Sequence, residues 1–147
     1  LPVQSRSGAA ELLSARFPDL QGTPKRLLDF QGRIVACNFW ATWCAPCREE
    51  VPLFVAAKQQ YASRGLEIVG IGIDRADKVR EFAVNFSVNY AIWIAGPEAI
   101  DLMRKLGNTA GALPYTVVLD RTGRVAVKRL GAFRRDELDG VLQGLLG

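Results

Sequence analysis

Cys44 and Cys47, two cysteines with two residues between them, are the side chains in this sequence best suited to covalent chemistry. At the start of a helix, that spacing lets them close a small disulfide ring. For such a ring to turn over, neither redox state can be strongly preferred. The segment Trp43-Cys44-Ala45-Pro46-Cys47 has the composition of a helix start, because Pro46 fits a first turn where its missing N–H costs nothing. Cys44 then falls at or just before the N-terminus, where unpaired N–H groups and the helix dipole stabilise a thiolate. Cys47 falls inside the first turn, where it is shielded. This arrangement predicts that Cys44 attacks a disulfide and Cys47 resolves the mixed disulfide that forms. A static disulfide or two inert thiols are the structural alternatives. The position of the pair, after a buried strand and opening a helix, weighs against both.

Several other chemistries are excluded by composition. The sequence has no histidine, so a Ser–His or Cys–His hydrolase and a zinc site using imidazole cannot be built. Three cysteines are too few for a four-thiolate metal site within one chain. Arg48 follows Cys47, so the haem-attachment pattern C-x-x-C-H also fails. No metal is therefore expected. The net charge of +4 is scattered, with a mild concentration in Arg121, Arg124, Lys128, Arg129, Arg134 and Arg135. No aromatic residues interleave with these in a binding pattern, so a solvated surface is expected and nucleic acid is not.

The elements that must position the pair follow from length and patterning. A chain of 147 residues, 49% of them apolar, predicts a single domain spanning 1–147, with 1–16 as an N-terminal extension. No apolar run approaches a bilayer span. The first residue is Leu rather than Met, which suggests a processed chain from which a signal peptide or anchor has been cut. Residues 1–8 read as a loose end and 9–17 as a short helix stopped by Pro18. Residues 20–24 read as a small hairpin turn. Strands are expected over 33–40, 66–74, 90–94, 115–119 and 124–130, the last two joined by a turn at 120–123. Helices are expected over 46–64 with a kink at Pro52 and an end at Gly65, 77–86 capped by Asp77, 97–106 and 134–146. Strand–helix–strand in the first half requires a parallel crossover, and the chain ends in a hairpin and a helix. The predicted fold is α/β: a mixed sheet flanked by helices on both faces, with chemistry at the carboxyl ends of its parallel strands.

The segment from Asn38 to Pro52, Asn-Phe-Trp-Ala-Thr-Trp-Cys-Ala-Pro-Cys-Arg-Glu-Glu-Val-Pro, resembles the thioredoxin superfamily. It is most similar to the TlpA/ResA-like branch of bacterial extracytoplasmic thiol–disulfide oxidoreductases. Leu113-Pro114-Tyr115-Thr116 resembles the cis-proline loop of that superfamily, and 17–22 resembles the hairpin that precedes the core in this branch. The resemblance implies a thioredoxin-like sheet with an N-terminal hairpin extension and a βα insertion. It implies Cys44 as nucleophile, Cys47 as resolving thiol, and a cis bond before Pro114 that leaves the Leu113 backbone free for an extended substrate. Thioredoxin has a buried aspartate six residues before its nucleophile. Here that position is Asn38, which cannot take a proton. Glu50, one helical turn beyond Cys47, matches an active-site glutamate of the branch and is the candidate base, with a surface carboxylate like Glu49 as the alternative.

Trp43 is expected to form a partly exposed wall beside the disulfide, with Trp40 in the core and Cys37 a buried inert thiol. The dipeptide Ala45-Pro46 carries no charge or imidazolium to stabilise the thiolate strongly, which favours a reductase. The resemblance implies a bacterial periplasmic or other extracytoplasmic setting, often with a membrane tether. It also implies a membrane electron donor and protein disulfide substrates, of the kind met in cytochrome c maturation or copper-site assembly. A monomer with no cofactor beyond the Cys44–Cys47 disulfide is expected. Two alternatives use the same cysteines. A thioredoxin-fold peroxidase needs a threonine three residues before its cysteine, whereas Thr42 stands two before Cys44. A Cu(I) chaperone would use both thiolates as soft ligands.

Overall fold

A computed structural model describes residues 2–147, with side chains from residue 8 onward. Strand β3 (Ile34–Trp40) is buried along its whole length, as its near-continuous apolar run requires. The chain reaches it through helix α1 (Pro2–Ser14), the short strands β1 (Phe17–Pro18) and β2 (Pro24–Lys25), and a single 3-10 turn over Leu27–Phe30. Beyond β3 come α2 (Ala45–Tyr61), β4 (Leu66–Ile73), α3 (Ala76–Asn85), β5 (Ala91–Ala95), α4 (Glu98–Lys105), β6 (Tyr115–Leu119), β7 (Val125–Leu130) and α5 (Arg135–Leu146).

The main sheet has the order β5-β4-β3-β6-β7. Strands β3, β4 and β5 run parallel, and β6 and β7 are antiparallel to their neighbours. Alternate residues of β3 face opposite layers. Ile34, Ala36 and Trp40 pack in the cluster that holds Val51 and Phe54 of α2, Phe82 of α3 and Leu138 of α5. Val35, Cys37 and Phe39 pack with Leu12 of α1 and Met103 of α4. The mixed sheet with helices on both faces is therefore the fold observed. Strands β1 and β2 form the expected small hairpin, and Asp19 in its turn bridges to Trp93 on β5.

Two local expectations are corrected. The loose end at 1–8, of which Leu1 lies outside the described residues, is in fact the first half of α1. Its pattern hides the reason. Gly8 packs so closely on α4 that a Cβ there would lie 2.8 Å from the Lys105 carbonyl oxygen. The missing side chain thus lets two helices touch rather than marking a break. Asp77 does not cap α3. The N-cap is Arg75, and Asp77 lies in the first turn, paired with the Arg75 guanidinium at 2.9 Å. Helix α2 continues through Pro52 as one element. Pro52 and Arg48, whose carbonyl loses its intrahelical donor, are both exposed, so water can satisfy that group. A short 3-10 turn follows α2, and Gly65 then reverses the chain at φ 98°.

Candidate active site

Cys44 is the N-cap of α2, in extended conformation at φ −91° and ψ 110°. It is disulfide-bonded to Cys47, with their Cα atoms 5.3 Å apart. Its Sγ also accepts a hydrogen bond from the Cys47 N–H at 3.4 Å, so a free amide of the helix start points at this sulfur. Cys44 is 7% exposed and Cys47 1%. Ala45 and Pro46 are exposed between them, and Trp43, 69% exposed, stands immediately before the pair.

The loop entering α2 is anchored on the neighbouring strand. Trp40 pairs with Gly72, so β3 and β4 end side by side. Thr42 donates both its N–H and its hydroxyl to Asp74, just beyond β4, and its carbonyl accepts from Arg48 Nη1 at 3.0 Å. Burial alone would raise the Asp74 pKa. Hydrogen bonds from the Thr42 hydroxyl and from the Arg75 and Thr42 N–H groups, with Lys78 nearby, together hold it below the usual carboxylate value.

A second polar group lies under α2. Asn38 pairs across the sheet with Thr116. Its Nδ2 donates to Thr116 Oγ1 at 3.0 Å and to Glu50 Oε1 at 3.1 Å. The other carboxylate oxygen, Oε2, accepts from the Phe133 N–H at 2.7 Å. Glu50 is 1% exposed, while its neighbour Glu49 is exposed, so the surface reading does not hold for Glu50. Burial raises its pKa to about 7, against the opposing effects of the Phe133 N–H, Asn38 and the Arg129 charge. Burial, with Glu50's charge adding, also pushes the Tyr90 hydroxyl well above its ordinary value. Arg129 is fixed by Glu137 at 3.0 and 3.1 Å and by the Ala132 carbonyl at 3.0 Å. Its guanidinium lies 5.3 Å from the Phe133 ring centroid, so it braces the loop that supplies the N–H to Glu50.

The Leu113–Pro114 bond is cis. Tyr115 pairs with Phe39, so Pro114 sits at the end of the sheet from which the chain enters α2. Pro114 is buried, and its carbonyl accepts from the Gly131 N–H at 2.9 Å. Leu113 is half-buried and packs against both core clusters. Cys37 is fully buried on the opposite face of β3, and burial pushes its thiol far above the range in which it would ionise.

All the candidate residues thus gather at one end of the sheet or just beneath α2. Sequence reasoning missed Thr116 as a partner of Asn38, the Phe133 backbone, Arg129 and Asp74. Only Asp74 carried a signal, as an acidic residue directly after a buried parallel strand.

The family model described as Redoxin matches residues 8–143. The chain is 33% identical over 128 residues to a thiol-disulfide oxidoreductase ResA of Bacillus cereus, covering 85% of this chain and 70% of the relative. Among solved structures, it is similar to a thiol:disulfide interchange protein of the thioredoxin family from Chlorobium tepidum TLS. That likeness has a TM-score of 0.80 and 28% identity and covers 90% of this chain and 93% of the other. A secreted thiol-disulfide isomerase from Corynebacterium glutamicum gives a TM-score of 0.80 at 27% identity, covering 90% of this chain and 83% of the other.

Proposed function

The chain belongs to the redoxin family and is a thiol–disulfide oxidoreductase of the TlpA/ResA-like kind, and from that premise we propose that it reduces disulfides in polypeptides, with Cys44 attacking and Cys47 resolving. The observation that carries this reading is Cys44 at the N-cap of α2, with the Cys47 amide on its sulfur and Cys47 shielded beneath it.

In the reduced protein the Cys44 thiolate attacks one sulfur of a substrate disulfide. A mixed disulfide forms and the other substrate sulfur leaves as a thiolate. Cys47 then loses its proton and attacks Cys44 Sγ, the substrate's remaining sulfur departs, and the Cys44–Cys47 disulfide closes. Two electrons have passed to the substrate. Asn38 cannot accept the Cys47 proton. Glu50, buried one helical turn beyond Cys47 and poised near neutrality, is the group suited to do so. No cofactor beyond the disulfide is needed.

The rest of the reading rests on resemblance. An extracytoplasmic setting, a membrane electron donor that restores the dithiol, and a monomeric working state fit the TlpA/ResA-like branch, as do client cysteines in cytochrome c or copper-site assembly. Among the described residues, no helix is long and apolar enough to cross a membrane.

The test is a Cys47→Ser variant expressed in the native host. It should accumulate mixed disulfides through Cys44 that dithiothreitol releases, and the additional change Cys44→Ser should abolish them. A Cu(I) chaperone would trap nothing. Absence of any trapped partner, together with failure of the purified dithiol to reduce insulin, would overturn the assignment. The reduction potential of the purified pair decides direction, and a value well above that of glutathione would make the protein an oxidant.

A further inference from the structure

Between α4 and β6 the chain crosses the surface through residues 107–113. Asn108 is 3% exposed, although residues 109, 110 and 112 around it are exposed. Its own N–H donates to the Met103 carbonyl at 2.9 Å, which seats it against the end of α4. Its side chain then reaches across the loop. Nδ2 donates to the Ala112 carbonyl at 2.8 Å, and Oδ1 accepts from the Ala112 N–H at 3.3 Å. One carboxamide thus engages both polar groups of a single backbone residue, as a neighbouring strand would.

Ala112 gives the core no reason for this clamp, because its own side chain is exposed. The residue after it is Leu113, which enters the cis bond to Pro114 at the active-site end of the sheet. Among the described residues, the N–H and carbonyl of Leu113 have no backbone partner. A buried amide therefore fixes the peptide directly before an unpaired backbone segment at the reacting end of the molecule.

We propose that Asn108 is a positioning residue for polypeptide substrates. By fixing Ala112 it holds the Leu113 backbone in place as a preformed edge, on which the chain flanking a substrate disulfide pairs before Cys44 attacks. This rests on the reading of the protein as a reductase and adds to it a source of preference. A polypeptide disulfide uses the edge, and a small-molecule disulfide, with no chain to pair, does not. Without Asn108 the loop must be ordered anew at each encounter, which weakens binding but leaves the chemistry of Cys44 unchanged.

The experiment compares wild type with Asn108→Ala and the near-isosteric Asn108→Asp, which keeps an acceptor for the Ala112 N–H but loses the donor to its carbonyl. Insulin and the small aromatic disulfide of Ellman's reagent serve as substrates, with dithiothreitol recycling the enzyme. In Asn108→Ala, which removes both hydrogen bonds to Ala112, the KM for insulin should rise about ten-fold with kcat nearly constant. Asn108→Asp should raise the same KM at least as much, because a buried carboxylate there faces the Ala112 carbonyl. The kcat/KM for the small disulfide and the reduction potential should stay within about two-fold and within error respectively. Equal losses on both substrates would mean a general structural role, and an unchanged KM for insulin would mean no role; either result overturns the proposal. If Asn108→Ala does not fold, the same split is read from Asn108→Asp. Failure of wild type to reduce either substrate overturns the reductase reading itself, a result distinct from failure of the Asn108 variants alone.

Discussion

Asn38 and Glu50 meet through one hydrogen bond, Nδ2 to Oε1 at 3.1 Å, where a buried strand passes beneath the first turns of α2. The pairing shows which force governs this carboxyl. Two N–H donors, from Asn38 and Phe133, favour its charged form, and so does the charge of Arg129. The loss of water outweighs all three, and the group is left near pH 7. In a chain without histidine, it is a carboxyl placed to titrate in that range.

Stability should therefore depend on pH through Glu50. Its folded pKa lies above its unfolded value, so the contribution is complete below the unfolded pKa of about 4.5. It is lost as pH rises toward about 7, because the unfolded chain releases the proton first. The shift corresponds to a decline of roughly 3 kcal/mol across that window. Urea unfolding of the oxidised protein at about pH 5 and about pH 8 should show this decline, and Glu50→Gln should flatten it. Equal pH slopes in both proteins would assign the dependence to another group.

Asn38→Asp would place a second carboxyl against Glu50 in a site that desolvates both. Two such neighbours titrate as a pair, and the second ionisation moves up. The pH at which the mixed disulfide is resolved should rise by about one unit or more relative to wild type. Stopped-flow measurement of Cys47 attack across the pH range reads this directly. An unshifted profile would mean that Glu50 does not govern the proton on Cys47.

The features legible in the sequence were those set by neighbouring residues. The position of Cys44 at a helix start follows from the Ala45-Pro46 turn, and β3 follows from its unbroken apolar run. The cis bond at Pro114 came only from the resemblance, since an ordinary strand-initiating proline reads the same. What stayed hidden depends on long-range closure. Spacing placed Glu50 rather than Glu49 on the Cys47 face of α2, but its burial depends on packing that includes the return of the chain at Phe133, 83 residues later. Nothing in the sequence marks Asn108, whose role depends on Ala112 folding back onto it. Helix α1 is hidden because its Gly8 serves contact with α4, a partner almost a hundred residues away.

Gly8 supplies a prediction against propensity. In a solvent-facing helix, Gly→Ala stabilises by about 1 kcal/mol. Here the new methyl would lie 2.8 Å from the Lys105 backbone carbonyl, which cannot swing aside as a side chain can. Gly8→Ala should lower the unfolding free energy by about 1–3 kcal/mol through displacement of α1 from α4. It should also weaken the Glu11–Lys105 ion pair, now at 2.8 Å. A urea midpoint at or above that of wild type would show that the helices have room to part.

Asp74 ties the loop before Cys44 to the end of β4 and titrates in the opposite sense to Glu50. Its folded pKa is lowered, so its contribution is present above the unfolded value of about 3.8 and disappears as pH falls through the folded one. Asp74→Ala removes the acceptor for both the N–H and the hydroxyl of Thr42. Water can reach this half-exposed site, so the cost should be modest, about 1–2 kcal/mol at neutral pH, and should shrink as acid protonates the folded carboxyl. The effect on the reaction should be larger than the effect on folding. Thr42 would keep only the Arg48 contact to its carbonyl, and the residues leading to Cys44 would sample more positions. The rate of disulfide reduction should fall about ten-fold, with the reduction potential displaced as the loop relaxes around the oxidised pair. A variant that loses stability as expected but retains the full rate would show that α2 alone holds Cys44 in place.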